Sequence, residues 1–126
     1  MFKKIDHFEI IPTDIDRTLD FYVSILGFKV RDRFPISRPP MKEIAYIELG
    51  GTVLELISVD KPEAKPCNQW TVGYSTVAIE VDNMDATVDY LKKKGIPITW
   101  GPVNLGTSIR AEIQDPDGLT IELRQW

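Results

Sequence analysis

The chain has 126 residues, enough for one domain whose core needs no covalent staple. Its net charge of −4, from 15 basic and 19 acidic residues, argues against a nucleic-acid partner, and no apolar run approaches the ~20 residues that span a bilayer. A single cysteine, Cys67, and a single histidine, His7, exclude an intrachain disulfide, a cysteine-based zinc site and a two-histidine iron site within one chain.

In chain order, the opening MFKKIDHFE lacks the pattern of a signal peptide, which makes a cytoplasmic location the default expectation. IDHFEII, residues 5–11, is a short β-rich run that carries His7. DIDRTLDFYVSILGF follows, with Thr13 or Asp14 at a helix start and Asp16 placed to help as a capping carboxylate. Ile15, Leu19, Tyr22, Val23 and Leu26 fall on one helical face, and Gly27 suits the left-handed position beyond the helix end. Three strands are predicted next, at 28–34, 43–49 and 52–58, with SRPPM at 37–41 as a loop and a Gly-Gly turn before the last strand. Leu54 and Leu56 then face the helix, and Glu55 faces the other way.

DKPEAKPCNQWTVG, residues 60–73, has two prolines and little periodicity and is expected to be a connector. Beyond it the grammar recurs. STVAIEV is a strand, Asp82 opens a helix with Asp85 in its first turn, and Met84, Val88 and Leu91 share its face. The basic run in LKKKG complements the dipole at that helix's C-terminus, and Gly95 closes it. Strands are predicted at 96–100, 108–114 and 119–125, with GPVNLGTS at 101–108 as a turn and DPDG joining the last two strands.

The recurrence is a duplication. Ile15 aligns with Met84, Asp16 with Asp85, Thr18 with Thr87, Asp20 with Asp89 and Phe21 with Tyr90, all at an offset of 69. Gly27 meets Gly95 at 68, and GGTVLELI meets DGLTIELR at 67, placing Glu55 on Glu122. The expected fold is α+β: module one at 1–59, connector 60–73 and module two at 74–126, each βαβββ, within one domain. The first offset carries His7 to Thr76. If the modules pack about an approximate two-fold axis, His7, Glu55, Thr76 and Glu122 converge.

Each of these side chains also has an ordinary reading. His7 is equally a strand histidine bonded to a neighbour. Glu55 and Glu122 fit the solvated face of a one-sided sheet, and Glu122 shares its face with Thr120 and Arg124. Arg31, Arg33 and Arg38 are either an anion-greeting cluster or solvated edge residues, the second being the commoner case. Trp70, Trp100, Tyr46 and Trp126 are pocket candidates, although aromatics in a small domain more often fill the core. Cys67 reads as an inert connector residue.

IDHFEI, DIDRTLDFYVSILGF, GGTVLELI, VAIEVDNMD and DPDGLTIEL, in this order and spacing across nearly the whole chain, resemble the vicinal oxygen chelate superfamily of glyoxalases, bleomycin-resistance proteins and dioxygenases, and glyoxalase I most. The resemblance implies paired βαβββ modules forming a cupped mixed sheet with helices outside. It implies a metal site at His7, Glu55 and Glu122, with Thr76 lining the cavity where the family has a histidine. It implies a divalent ion (nickel, cobalt, manganese, zinc or magnesium) and Glu122 as catalytic base in a lyase or isomerase reaction through an enediolate of a small oxygen-rich substrate. It also implies a homodimer, in which some members complete each site from two subunits. The substitution of Thr76 for histidine motivates an alternative with no metal: a small-molecule binding protein of the bleomycin-resistance kind.

Overall fold

Strand alternation builds the first unit, Met1–Ala64, of a computed structural model that describes residues 1–68 and 70–126. Gln69, in the predicted connector, lies outside the described residues. The unit contains β1 (Phe8–Ile10), helix α1 (Ile15–Leu19), β2 (Lys29–Arg38), β3 (Met41–Leu49) and β4 (Thr52–Val59). Its sheet runs β1-β4-β3-β2, with β1 parallel to β4 and the other pairs antiparallel. Ala45 lies opposite Leu56 and Ile47 opposite Leu54, and all four are at most 1% exposed. With Ile15, Leu19, Phe21 and Tyr22 from the helical segment they form the unit's core. Burial of each large aliphatic side chain contributes roughly 1.5–3 kcal/mol. A two-residue Gly50-Gly51 turn with φ of +56° and +84° joins β3 to β4, the left-handed geometry that a tight hairpin requires.

The second unit, Lys65–Trp126, repeats the plan with β5 (Val77–Glu80), α2 (Met84–Lys93), β6 (Trp100–Asn104), β7 (Ile109–Gln114) and β8 (Thr120–Gln125), ordered β5-β8-β7-β6. Here Ala111 opposes Leu123 and Ile113 opposes Ile121, matching the Ala45–Leu56 and Ile47–Leu54 pairs of the first unit. Met84, Val88 and Leu91 are the buried residues of α2. Lys92 and Lys93 occupy its last turn, where cations favour the dipole. The fold is therefore α+β with two βαβββ modules, and the duplication extends to the register of the strands.

Several local expectations are corrected. The first helix is α-helical only to Leu19; Asp20–Ile25 forms a wider π-helical turn, in which the Leu26 amide donates to the Phe21 carbonyl at 3.1 Å. The wider turn rotates the apolar face, so Phe21 is buried beside Tyr22 while Val23 and Leu26 are only half-buried. Asp14 caps α1, accepting from the Asp16 and Arg17 amides at 3.0 and 3.1 Å, so Asp16 is free to bind Arg33 at 2.7 Å. The second helix is capped by Asn83, not Asp82, because the Asn83 Oδ1 accepts from the Ala86 amide at 2.9 Å. β2 continues to Arg38, which leaves only Pro39-Pro40 as the turn in SRPPM. β6 begins at Trp100 and takes in 101–104, so the turn in GPVNLGTS shrinks to a segment closed by the Leu105 amide on the Ser108 carbonyl at 2.8 Å.

Candidate functional site

His7 immediately precedes β1, and Glu55 sits in the middle of β4, the strand parallel to it. The alternation that buries Leu54 and Leu56 turns Glu55 to the opposite face, where it is still only 5% exposed. A buried carboxylate needs partners. The Tyr46 hydroxyl, directly across on β3, donates to Glu55 Oε1 at 3.0 Å. The His7 Nε2 lies 2.9 Å from Glu55 Oε2. On the outer side of the ring, His7 Nδ1 is 2.8 Å from Asp6 Oδ2. The ring also packs edge-on to Tyr46, with centroids 5.9 Å apart. Glu9, two residues on and therefore on the same face, places Oε1 3.6 Å from His7 Nε2.

The electrostatics follow from this crowding. The Asp6 carboxylate, bonded to Nδ1, holds the His7 imidazolium above its ordinary range; Glu55 and Glu9 act in the same direction, and partial desolvation opposes them. The same hydrogen bond to His7 lowers the Asp6 carboxyl. The Tyr46 hydroxyl is raised, first by its hydrogen bond to Glu55 and then by burial. His7, Glu9 and Glu55 each offer a ligand atom, all within 4.8 Å of one another.

The second unit treats its equivalent glutamate differently. Glu122 is buried on β8, opposite Glu112 on β7 and Ala78 on β5. Arg124 donates from Nε to Glu122 Oε1 at 2.7 Å and from Nη1 to Ser108 Oγ at 2.9 Å. Arg110 brings its Nε within 2.9 Å of Glu122 Oε2, an ion pair whose N–H is not aligned for a hydrogen bond, and its Nη2 to Glu112 Oε1 at 2.5 Å. Each guanidinium lies 5.2 Å from an indole, Arg110 at Trp100 and Arg124 at Trp126. The Thr76 hydroxyl donates to the Thr120 carbonyl at 2.7 Å. A cleft of about 340 Å³ in this unit is lined by residues that include Trp70, Tyr74, Thr76, Arg110 and Glu112.

Of the residues singled out from sequence, His7 and Glu55 meet in the first unit, while Thr76 and Glu122 lie in the second with partners of their own. Asp6, Glu9 and Arg110 were not singled out. Period-two spacing from His7 marks Glu9; Arg110 depends on the β7–β8 register, which sequence spacing does not give. Arg33 fastens Asp16 to Glu43, and Arg31 pairs with Glu48 at 3.4 Å, so these arginines serve the sheet edge. Trp70, Trp100 and Trp126 are exposed rather than core, and Cys67 is exposed.

The sequence model of the Glyoxalase/Bleomycin resistance protein/Dioxygenase superfamily matches residues 4–123. A lactoylglutathione lyase of Neisseria meningitidis is 32% identical over 117 residues, covering 89% of this chain and 83% of the relative. The crystal structure of a glyoxalase family protein from Enterococcus faecalis superimposes with a TM-score of 0.82 at 27% identity, covering 98% of both chains. The glyoxalase I of Leishmania major gives 0.81 at 26% identity, covering 98% of this chain and 87% of that one. With a family match over nearly its whole length, a relative above 30% identity and the same duplicated module, this chain belongs to the Glyoxalase/Bleomycin resistance protein/Dioxygenase superfamily.

Proposed function

We propose that the protein is a metal-dependent lyase or isomerase of the glyoxalase type, acting on a small substrate with adjacent oxygens. The observation that carries this reading is the His7–Glu55 pair. Each residue has its outer atom tied down, Nδ1 by Asp6 and Oε1 by Tyr46, and its inner atom turned to the other at 2.9 Å. That is the arrangement by which outer partners orient metal ligands. A nitrogen with carboxylate oxygens suits nickel, cobalt, manganese, zinc or magnesium. A divalent ion held there supplies Lewis-acid stabilisation of charge on the substrate oxygens. His7 and Glu55 would hold the ion, and Glu122 is proposed, on the family resemblance, as the carboxylate that would take a proton from the carbon beside the carbonyl and return it to the neighbouring carbon. Kinship with a lactoylglutathione lyase supports the reading and makes thiol adducts of 2-oxoaldehydes the first substrate class to assay.

A second reading has its own observation. Both Glu122 oxygens face arginines, Thr76 is committed to a backbone carbonyl, and a cleft with aromatic walls lies beside them. A metal-free protein that binds a small molecule there is the alternative. Metal analysis after purification without chelators, together with isomerase assays in each divalent ion, separates the two. Stoichiometric metal lost in His7→Ala, with turnover, supports the enzyme. No metal uptake and no turnover under any ion sinks it.

A further inference from the structure

The first unit contains a third carboxylate that neither the duplication nor the family pattern assigns. We propose that Glu9 is a protein ligand and that the ion is held by the first module alone, through His7, Glu9 and Glu55. This rests on the reading above that an ion binds at His7 and Glu55.

Geometry supports it first. Adjacent ligands on bonds of about 2.1 Å lie about 3.0 Å apart in an octahedral shell and about 3.4 Å apart in a tetrahedral one. His7 Nε2 is 2.9 Å from Glu55 Oε2 and 3.6 Å from Glu9 Oε1, so little adjustment converts the cluster into three ligands on one face of an ion. Glu9 is the adjustable member, with a side chain 58% exposed, whereas Glu55 is fixed by burial and Tyr46.

Charge is the second and independent support. Glu9 and Glu55 are direct partners on adjacent parallel strands, and like charges directly opposite one another are destabilising. Among the described residues, the cationic group within ion-pair distance of either one is the His7 imidazole. The second module solves the same problem in a different way. Its partner for Glu122 on β5 is Ala78, the facing carboxylate is Glu112 on β7, and two guanidinium groups compensate these two glutamates. One module therefore carries an acidic pair with a single imidazole beside it, and the other an acidic pair already supplied with two guanidinium groups. A divalent ion fits the first and has no vacancy to fill at the second.

The ligands that the family pattern draws from the second module are also engaged. Thr76 donates its hydroxyl to Thr120, and Glu122 would have to exchange two arginines for a metal. Glu9 supplies within module one the donor that Thr76 does not provide, leaving the remaining coordination positions for water or substrate oxygens.

The test is cobalt(II) titration of chelator-stripped protein, followed by visible absorption and equilibrium dialysis, on the wild type, Glu9→Gln, Glu122→Gln and His7→Ala. Circular dichroism checks that each variant is folded, which the exposed position of Glu9 favours. The expected result is one cobalt per wild-type chain, no binding in His7→Ala, at least a tenfold weaker affinity with an altered spectrum in Glu9→Gln, and an unchanged affinity and spectrum in Glu122→Gln. Wild-type affinity in Glu9→Gln, or lost cobalt in Glu122→Gln, overturns this assignment while leaving the His7–Glu55 site standing. A wild type that takes up no cobalt overturns both.

Discussion

Glu55 and Glu122 occupy equivalent places in the two sheets, each buried at the centre of a last strand, yet one is balanced by a hydroxyl and an imidazole and the other by two guanidinium groups. Removing a guanidinium leaves a buried charge partly unpaired, which is costlier than removing both partners. Arg124→Met is therefore expected to destabilise the fold by about 1–3 kcal/mol, and the double variant with Glu122→Gln by less. Urea denaturation of the single and double variants measures this. If Arg124→Met unfolds at the wild-type midpoint, the guanidinium does not stabilise Glu122.

Tyr46 plays the corresponding part for Glu55. Tyr46→Phe keeps the ring and its edge contact with His7 but deletes the donor to Oε1. The freed carboxylate can then turn, so metal affinity should fall about 10–100-fold, as for other outer-shell partners. Without metal the same change should cost about 1–3 kcal/mol, the penalty of an unsatisfied buried acceptor. Isothermal titration with manganese or cobalt and denaturation of the stripped protein read the two effects separately. Unchanged affinity would mean that Tyr46 does not orient Glu55 for the ion.

The fold was legible because the duplication repeats every local signal: the cap before each helix, the apolar face, the glycine turn and the alternating last strand. Leu54, Glu55 and Leu56 could be assigned to faces from period two alone, and their neighbours agree, Glu55 meeting Tyr46 and His7 while all three are buried alike. What the sequence could not resolve was helical pitch and strand register. A π-helical turn at Asp20–Ile25 has no periodic signature of its own, so Phe21 was missed from the core face. Asn83 and Asp82 are both good caps, and only the backbone path decides between them. The site was legible in part for the same reason. His7 and Glu55 followed from alignment of the repeat, but Arg110 reaches Glu122 diagonally across β7 and β8, a contact that depends on register. Glu9 lies two residues from His7, within reach of spacing, but its repeat partner, Ala78, carries no chemistry, so the duplication gives it no signal.

With one histidine in the chain, a single imidazole titration reports the metal-free site. The ring is raised above 6.5 chiefly by Asp6, so its NMR midpoint should lie above that value, and Asp6→Asn should bring it down. A raised histidine contributes stability that is complete below its unfolded value and is lost as pH rises through the folded value. The lowered Asp6 carboxyl contributes stability present above 3.8 and lost as pH falls through its folded value. The pair's contribution is thus complete between the two unfolded values, 3.8 and 6.5, and falls away on either side of that window. A midpoint at or below 6.5 in stripped protein would contradict the geometry at Nδ1.

Gly101 and Gly106, five residues apart around the β6–β7 connection, offer a controlled comparison of backbone strain and steric exclusion. Both have positive φ, +77° and +91°, so alanine at either should cost about 1–3 kcal/mol from backbone conformation alone. At Gly106 an added Cβ meets nothing within 4 Å among the described residues. At Gly101 it would sit 2.6 Å from the Arg110 carbonyl oxygen, with the Ala111 Cα at 3.2 Å, so β6 must part from β7 to admit it. Gly101→Ala should therefore be the more destabilising in thermal unfolding, and the excess should fall on the strand that carries Arg110. A weakened Arg110–Glu122 pair would accompany the loss, visible as a smaller effect of Arg110→Met in the Gly101→Ala background than in the wild type. Equal costs at the two glycines would mean that the strands separate freely there and that Arg110 is not held in place by its neighbour.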